Sequence, residues 1–516
     1  MESPIWKKIV HYGLYVVFML VFAWVSGQLF FERQTDNLMT SVGVLFAVDE
    51  QIERIDNLRV VFPDEPVSLE PTLADAITRQ RLVNIYEPLV RPDRDLKMRP
   101  ALALSWGLID DLTWDFRLRP GVTFHDGTKF DVNDAVGSFE RAISNKGSEI
   151  AGLLTSIDKV EAINEMTLRV KTLKPDPLLL QRLSTVLIMP SEQKDKKIVE
   201  PIGTGSYLLS SFTPGEGFLI ERFDDYWGKK SQFETVEMIA KTNKSERVNM
   251  FLRGDADLLS FVAYDAVPIV KERGFEISGI PSLEVQFLMF NHNSEIFKNV
   301  KNKKVVSLAI DQNSLLKSFG EYAKSANQFI SNGIFGFSPD ISQHKYDLKA
   351  AGNLAKETGL KGKTITFHLQ KGLDLLGEHV RTQLSEIGVN VIVSYLEPDR
   401  LFQSMVDGTG DIYFLGFKSD LGDGADFLDV MVDTDGAFNV ANYSNDSVDK
   451  LISEGLTEMD PTKRLADLQK AMKIIVEDDV VGVPLFEYET VYSFVDALEF
   501  EPRIDGLIYF DEINIK

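Results

Sequence analysis

The run Ile9–Phe31 contains no Asp, Glu, Lys or Arg and is dominated by Leu, Val, Phe, Tyr and Trp. No other stretch restricts the chain so severely. At about 1.5 Å per helical residue it spans the roughly 30 Å hydrocarbon core of a bilayer. Lys7 and Lys8 precede it, which places the N-terminus in the cytoplasm and everything after Glu32 outside. Trp6, Tyr12 and Trp24 suit interfacial positions. The competing reading is a cleaved signal peptide with Ser26-Gly27 as its small-residue site, although the run is long for such a segment. The sequence therefore predicts a membrane anchor over 1–31 and a stalk over 32–57, with an amphipathic stretch from Leu38 to Ile55. The folded body begins at the strand-like Leu58-Arg59-Val60-Val61-Phe62.

A chain of 516 residues exceeds what one hydrophobic core ordinarily supports, so two or more lobes are expected. The formal charge of −23 argues against nucleic acid, which needs a basic surface, and favours a soluble, monomeric exterior. Without cysteine there is no disulfide, thiolate metal site, thiol nucleophile or lipid-modified cysteine. Six histidines include no HExxH and no i,i+4 pair. Nothing supplies a nucleophile–base pair or a metal set, so no catalytic residue, metal or cofactor is predicted.

Within the body, Thr113–Leu118 alternates apolar and polar side chains as a half-buried strand does. Arg119-Pro120-Gly121 turns the chain, Val122–His125 resumes the alternation, and Asp126-Gly127 breaks it again. Asp131, three residues before Asp134, reads as the cap of a helix with Val132, Val136, Phe139 and Ile143 on one face. Trp106, Asp110-Asp111 and the run from Thr113-Trp114 through Phe116, Leu118-Arg119, Gly121-Val122 and Phe124-His125-Asp126-Gly127 to Asp134 closely resemble one family signature. The family is that of the solute-binding proteins of ABC importers, family 5, which includes the dipeptide- and oligopeptide-binding proteins. Leu69-Glu70-Pro71, Asn84–Val90, Gly203–Tyr207, Phe223–Gly228 and Gly254–Asp257 resemble further segments of it. Gly203-Thr204-Gly205 lacks the Lys of a phosphate loop and reads as a turn into a strand.

Further on, strands at Val285–Asn291, Thr364–Leu369 and Asn390–Tyr395 alternate with helices, which predicts an α/β lobe with a largely parallel sheet. The resemblance implies a two-lobed periplasmic-binding-protein fold with an extra subdomain in lobe 1. The expected division is lobe 1 over 58–283, with the subdomain at about 73–195, lobe 2 over 284–483, and a return to lobe 1 over 484–516.

The functional stretch is Asp411–Leu428. Ile412–Phe417 is a strand that ends in the acidic loop Lys418–Gly424, and ligands of α/β lobes bind at such strand ends. A calcium loop of Asp420, Asp423, Asp426 and Asp429 is the alternative, although spacing by threes is not the calcium-hand pattern. Gly416, Asp420, Asp423, Phe427 and Leu428 match the family's Gly-Trp-x-x-Asp-Tyr-x-Asp-Pro-x-x-Phe-Leu; Phe417, Leu421 and Gly424 depart from it. The resemblance implies that Asp420 pairs with a peptide's ammonium group and that Phe417 and Tyr488 line the pocket, with Asp423 as the second carboxylate. The expected protein is thus a membrane-tethered extracytoplasmic receptor that delivers a short peptide to ABC permease subunits by hinge closure. A nickel chelate, haem or oligosaccharide is the alternative solute, and a surface scaffold or sensor the alternative role.

Overall fold

The computed structural model describes residues 56–215, 217–317, 321–342 and 345–516. The expected anchor, and the stalk before residue 56, lie outside these residues. Among the described residues no helix is long and apolar enough to cross a membrane.

An eleven-stranded sheet runs through the whole body. Its order is Asn390–Leu396, Thr364–Gln370, Ile412–Lys418, Glu276–Phe290, Gly482–Phe494, Leu258–Leu259, Asn57–Phe62, Thr235–Ala240, Gly217–Arg222, Tyr207–Thr213, with Ala323–Ser325 added beside Gly482–Phe494. Glu276–Phe290 and Gly482–Phe494 are the longest strands and run antiparallel to each other through both halves. Residues 276–281 pair with 489–494 in one half, and 285–289 pair with 482–487 in the other. Between them the register shifts: Ser282, Leu283 and Glu284 stand opposite Tyr488 alone. Leu283 has a φ of 63°, which a branched side chain adopts only where its surroundings enforce it. The expected boundary near Glu284 falls inside this bulge.

The sheet of the second half is not largely parallel. Thr364–Gln370 pairs parallel with both neighbours, but Ile412–Lys418 and the two long strands are antiparallel. The reason is connectivity: the long strands enter and leave this half in opposite directions, so only the βαβ portion keeps the parallel sense.

Residues 103–172 contribute a separate four-stranded antiparallel sheet, Ala103–Asp110, Thr113–Leu118, Thr167–Thr172 and Ile157–Asn164. The helix Val132–Ser144 covers it and starts with the capping box expected: Asp131 Oδ1 accepts from Asn133 N at 2.7 Å, and Asp131 N donates to Asp134 Oδ2 at 2.9 Å. Its buried face is Val132, Ala135, Phe139 and Ala142, whereas Ile143 is 39% exposed. The face is rotated by one residue from the expected one because small Ala135 and Ala142 let the helix lie close on Phe116, Leu168 and Val170.

Four signature segments converge here. Gly205 N donates to Ile85 O at 2.8 Å, and a Cβ at Gly203 or Gly205 would sit on the Ile85 backbone. These glycines record a backbone crossing, not a phosphate cradle. His125 Nε2 lies 3.0 Å from Gly205 O and Gly203 N donates to His125 Nδ1, so the ring is held neutral with its proton on Nε2. Burial pushes its pKa down to about 4. The carboxylate of Glu87 accepts from Tyr226 Oη at 3.0 Å, Trp227 Nε1 at 2.7 Å and Thr204 Oγ1 at 2.9 Å.

Candidate functional site

A cavity of about 170 Å³ lies where the two long strands cross between the halves of the sheet. The first half supplies Phe62, Asp64, Arg81 and Phe261, and the C-terminal segment supplies Ile504–Leu507. The crossing strands supply Ser282, Glu284 and Tyr488, and the second half supplies Lys418. Most of the wall is apolar, with a few charged groups, as small-molecule sites are.

Strand register explains the polar cluster. Glu284 and Lys418 are cross-strand partners, and Gln286 faces Gly416. Glu284 and Gln286 share one face of an otherwise apolar strand, and Gln286 Nε2 donates to Glu284 Oε1 at 2.6 Å. Gly416 leaves the space these two side chains occupy, since a Cβ there would meet both. The Tyr488 hydroxyl donates to Glu284 Oε2. Glu284 is 3% exposed, and burial raises its pKa despite the Tyr488 and Lys418 groups beside it. Burial opposes the charge on Lys418, but Asp420 beside it carries the pKa of Lys418 upward overall.

Of the four residues expected at the site, Tyr488 lines the cavity. Asp420 is not part of the lining; it is half exposed, with Oδ1 2.9 Å from Nζ of Lys418, which does line the cavity. The partly buried Arg79, whose guanidinium is held by the carbonyls of Ser184 and Thr185 at 2.9 and 3.1 Å, interacts favourably with the charge of Asp420. Phe417 does not reach the cavity. It alternates with Lys418 along the strand, so while Lys418 faces the cavity Phe417 points into the core, 2% exposed and edge-on to Phe427 at 5.2 Å. Asp423 does not reach it either. Both its oxygens meet Arg464, at 2.6 and 2.8 Å, and Oδ1 also accepts from Ala425 N at the start of the following turn of helix. Among the described residues no three carboxylates or histidines are placed to hold a metal ion, so the loop's even spacing of Asp420, Asp423, Asp426 and Asp429 does not gather them.

Sequence reasoning missed Arg81, Glu284 and Lys418. The available signals were Glu284 and Gln286, two residues apart in an apolar strand, and the basic residue that ends the strand Ile412–Lys418. The halves also touch through apolar side chains: Leu178 is buried in the core of the second half, and Leu96 and the cavity residue Ile504 pack against that core.

The signature described as Bacterial extracellular solute-binding proteins, family 5 Middle, matches residues 97–439, more than half of the chain. The glutathione-binding protein GsiB of Escherichia coli K12 is 24% identical over 447 residues, covering 82% of this chain and 86% of that protein. Among solved structures, the ABC transporter substrate-binding protein CtaP of Listeria monocytogenes superposes with a TM-score of 0.81 at 22% identity, over 90% of this chain and 100% of that one. The periplasmic binding protein DppA of Helicobacter pylori, in complex with the peptide STSA, gives 0.73 at 23% identity, over 89% and 98%. These neighbours share the two-lobed α/β fold. The chain belongs to the bacterial extracellular solute-binding proteins of family 5.

Proposed function

We propose that the chain is the substrate-binding component of an ABC importer for short peptides. On this reading it is tethered through Ile9–Phe31 with its body extracytoplasmic. The lobes are 58–283 and 284–483, with 484–516 returning to the first. The observation that carries the reading is the cavity's position: it is walled by both halves of the sheet and by the strands that join them. A solute held there contacts both lobes only when they are together, so its binding favours the closed arrangement. The register shift at 282–284 is the hinge, and the Leu96, Leu178 and Ile504 contacts are the latch.

GsiB is named for glutathione and DppA was solved with a tetrapeptide, which supports a peptide as the solute here. Within this reading Tyr488 forms part of the wall and Asp420 takes the ligand's ammonium group in exchange for Lys418. Phe417 and Asp423 keep the Asp420 loop in place. The family is one of binding proteins, and no reaction is assigned to the cavity.

The test is to express residues from Leu58 onward, identify by mass spectrometry what co-purifies, and screen peptides by thermal shift. A receptor gains about 2.7 kcal/mol at a hundredfold excess of solute over Kd. A body that purifies empty and answers to no peptide, chelate, haem or sugar is a scaffold instead.

A further inference from the structure

Arg81 and Arg247 are the two largest fully buried side chains among the described residues, each 1% exposed, and of the two Arg81 lines the cavity. Its guanidinium carbon lies over the Phe62 ring, 3.9 Å from the centroid. A cation–π contact takes none of the N–H donors, which point outward in the guanidinium plane. Among the described residues those donors meet one acceptor, the backbone carbonyl of Asp64, which takes a bond from Nη2 at 2.7 Å. Nε is buried and has no partner. Burial pulls the pKa of the group down to about 9, partly offset by Asp75, Asp64 and Glu65.

None of those three carboxylates is its hydrogen-bond partner. Asp75 caps the helix Ala76–Leu82, accepting from Ile77 N and Thr78 N at 3.4 and 2.7 Å. Glu65 takes Gly215 N at 2.7 Å. Asp64 offers Arg81 its carbonyl while its carboxylate, its pKa raised by burial, lines the cavity. A desolvated cation with idle in-plane donors is costly in a folded protein unless an anion completes it.

We propose that Arg81 anchors a carboxylate of the solute on the first-lobe wall, and that the solute is a zwitterion. The second clause follows from the neighbours. Five acidic residues, Asp64, Asp75, Glu284, Glu489 and Asp505, line the cavity against two basic ones, Arg81 and Lys418, so a dianion such as phosphate is disfavoured. A single carboxylate on a molecule that also carries a cation is accepted. The inference rests on the solute-binding reading above and deepens it by naming which group of the solute enters the first lobe.

The experiment is calorimetry on the body with Ser-Thr-Ser-Ala, Met-Leu and glutathione, each compared with the counterpart whose carboxylates are amidated. Wild type is expected to bind at least one free acid and to lose at least about thirtyfold on amidation, the usual cost of breaking a desolvated charge pair. In Arg81→Gln that penalty is expected to shrink below about threefold, while Arg81→Lys, which keeps the charge, falls between. Equal penalties in wild type and Arg81→Gln, or no penalty in wild type, overturn the proposal. If neither variant folds, a crystal of wild type with the free acid decides, according to whether a carboxylate oxygen lies within about 3 Å of the Arg81 guanidinium. If no peptide binds wild type, the peptide reading fails and the co-purified solute decides. A carboxylate-bearing zwitterion lost from Arg81→Gln supports the assignment to Arg81, whereas any other solute, or none, overturns it.

Discussion

Asp423 and Arg464 form a bidentate ion pair with side chains 2% and 5% exposed, joining the loop after Ile412–Lys418 to the helix Pro461–Lys473. Arg464 also donates to Gly455 O at 2.7 Å. Removing one partner leaves the other charge buried and uncompensated. Asp423→Asn is therefore expected to cost about 3–5 kcal/mol of unfolding free energy, read from urea denaturation. The double change Asp423→Asn with Arg464→Met is expected to cost clearly less than the sum of the two single changes.

At the loop's other acidic residue the expectation is functional. Asp420→Asn should reduce affinity for a peptide with a free amino terminus at least about thirtyfold, with little effect on folding because the side chain is half exposed. Lys418→Met frees Asp420 from its intramolecular cation and should tighten binding. N-acetylation of the peptide should cost wild type heavily and Asp420→Asn much less. Equal costs in calorimetry would move the ammonium site elsewhere.

Two carboxyls with raised pKa, the buried Glu87 and the partly buried Asp426, bear on stability between acid and neutral pH. Burial raises the pKa of Glu87 to about 7 in spite of its three donors, and burial together with Asp420 and Asp429 raises that of Asp426 to about 7. A carboxyl whose folded pKa exceeds its unfolded value adds stability that is full below the unfolded value and is lost as pH rises through the folded one. Between about pH 4 and pH 7 these two groups should therefore lower stability, by a few kcal/mol at most. Glu87→Gln with Asp426→Asn should flatten that slope and stabilise the body near neutrality, as measured by denaturation midpoints across the pH range.

The proposed latch is tested at Leu96. Leu96→Asp places a charge where Leu96 packs on the second half near Gly422. It should leave unfolding midpoints nearly unchanged, enlarge the radius of gyration in small-angle scattering, and weaken solute binding by about tenfold. An unchanged scattering profile would mean that Leu96 is no latch.

The N-terminal proposal is tested separately. The mature protein should begin at Met1 and sediment with membranes, and deleting residues 1–31 should release a folded body. A mature terminus near Gln28 would instead mean a cleaved signal and a released receptor.

Local pattern made much of the fold legible. Asp131 and Asp134 specified their capping box, Thr364 and Asn390 opened the expected strands, and Gly388, at a φ of 80°, closed a helix. The Glu87 cluster could be read only as three separate motifs, because its members lie up to 140 residues apart and meet through tertiary packing. The site was harder for a different reason. Ile412–Lys418 is apolar on both faces, so alternation could not say which side meets the cavity, and Phe417 rather than Lys418 looked like the wall. Arg81 sits in a polar-looking helix, Ala76–Leu82, where a buried arginine has no local signature.

The bulge opposite Tyr488 has a consequence for solvent access. Residues 276–281 pair without a shift on one side, and 285–289 pair on the other with one further register shift after Gln286, so the amide protons of both segments are expected to exchange slowly with deuterium. On the proposed hinge reading, bending between the lobes is absorbed at Ser282, Leu283 and Glu284, where the strand pairing shifts. A labelling experiment should find a three-residue window of fast exchange inside two of the slowest-exchanging strands of the molecule, and a bound solute should slow that window before it slows anything else.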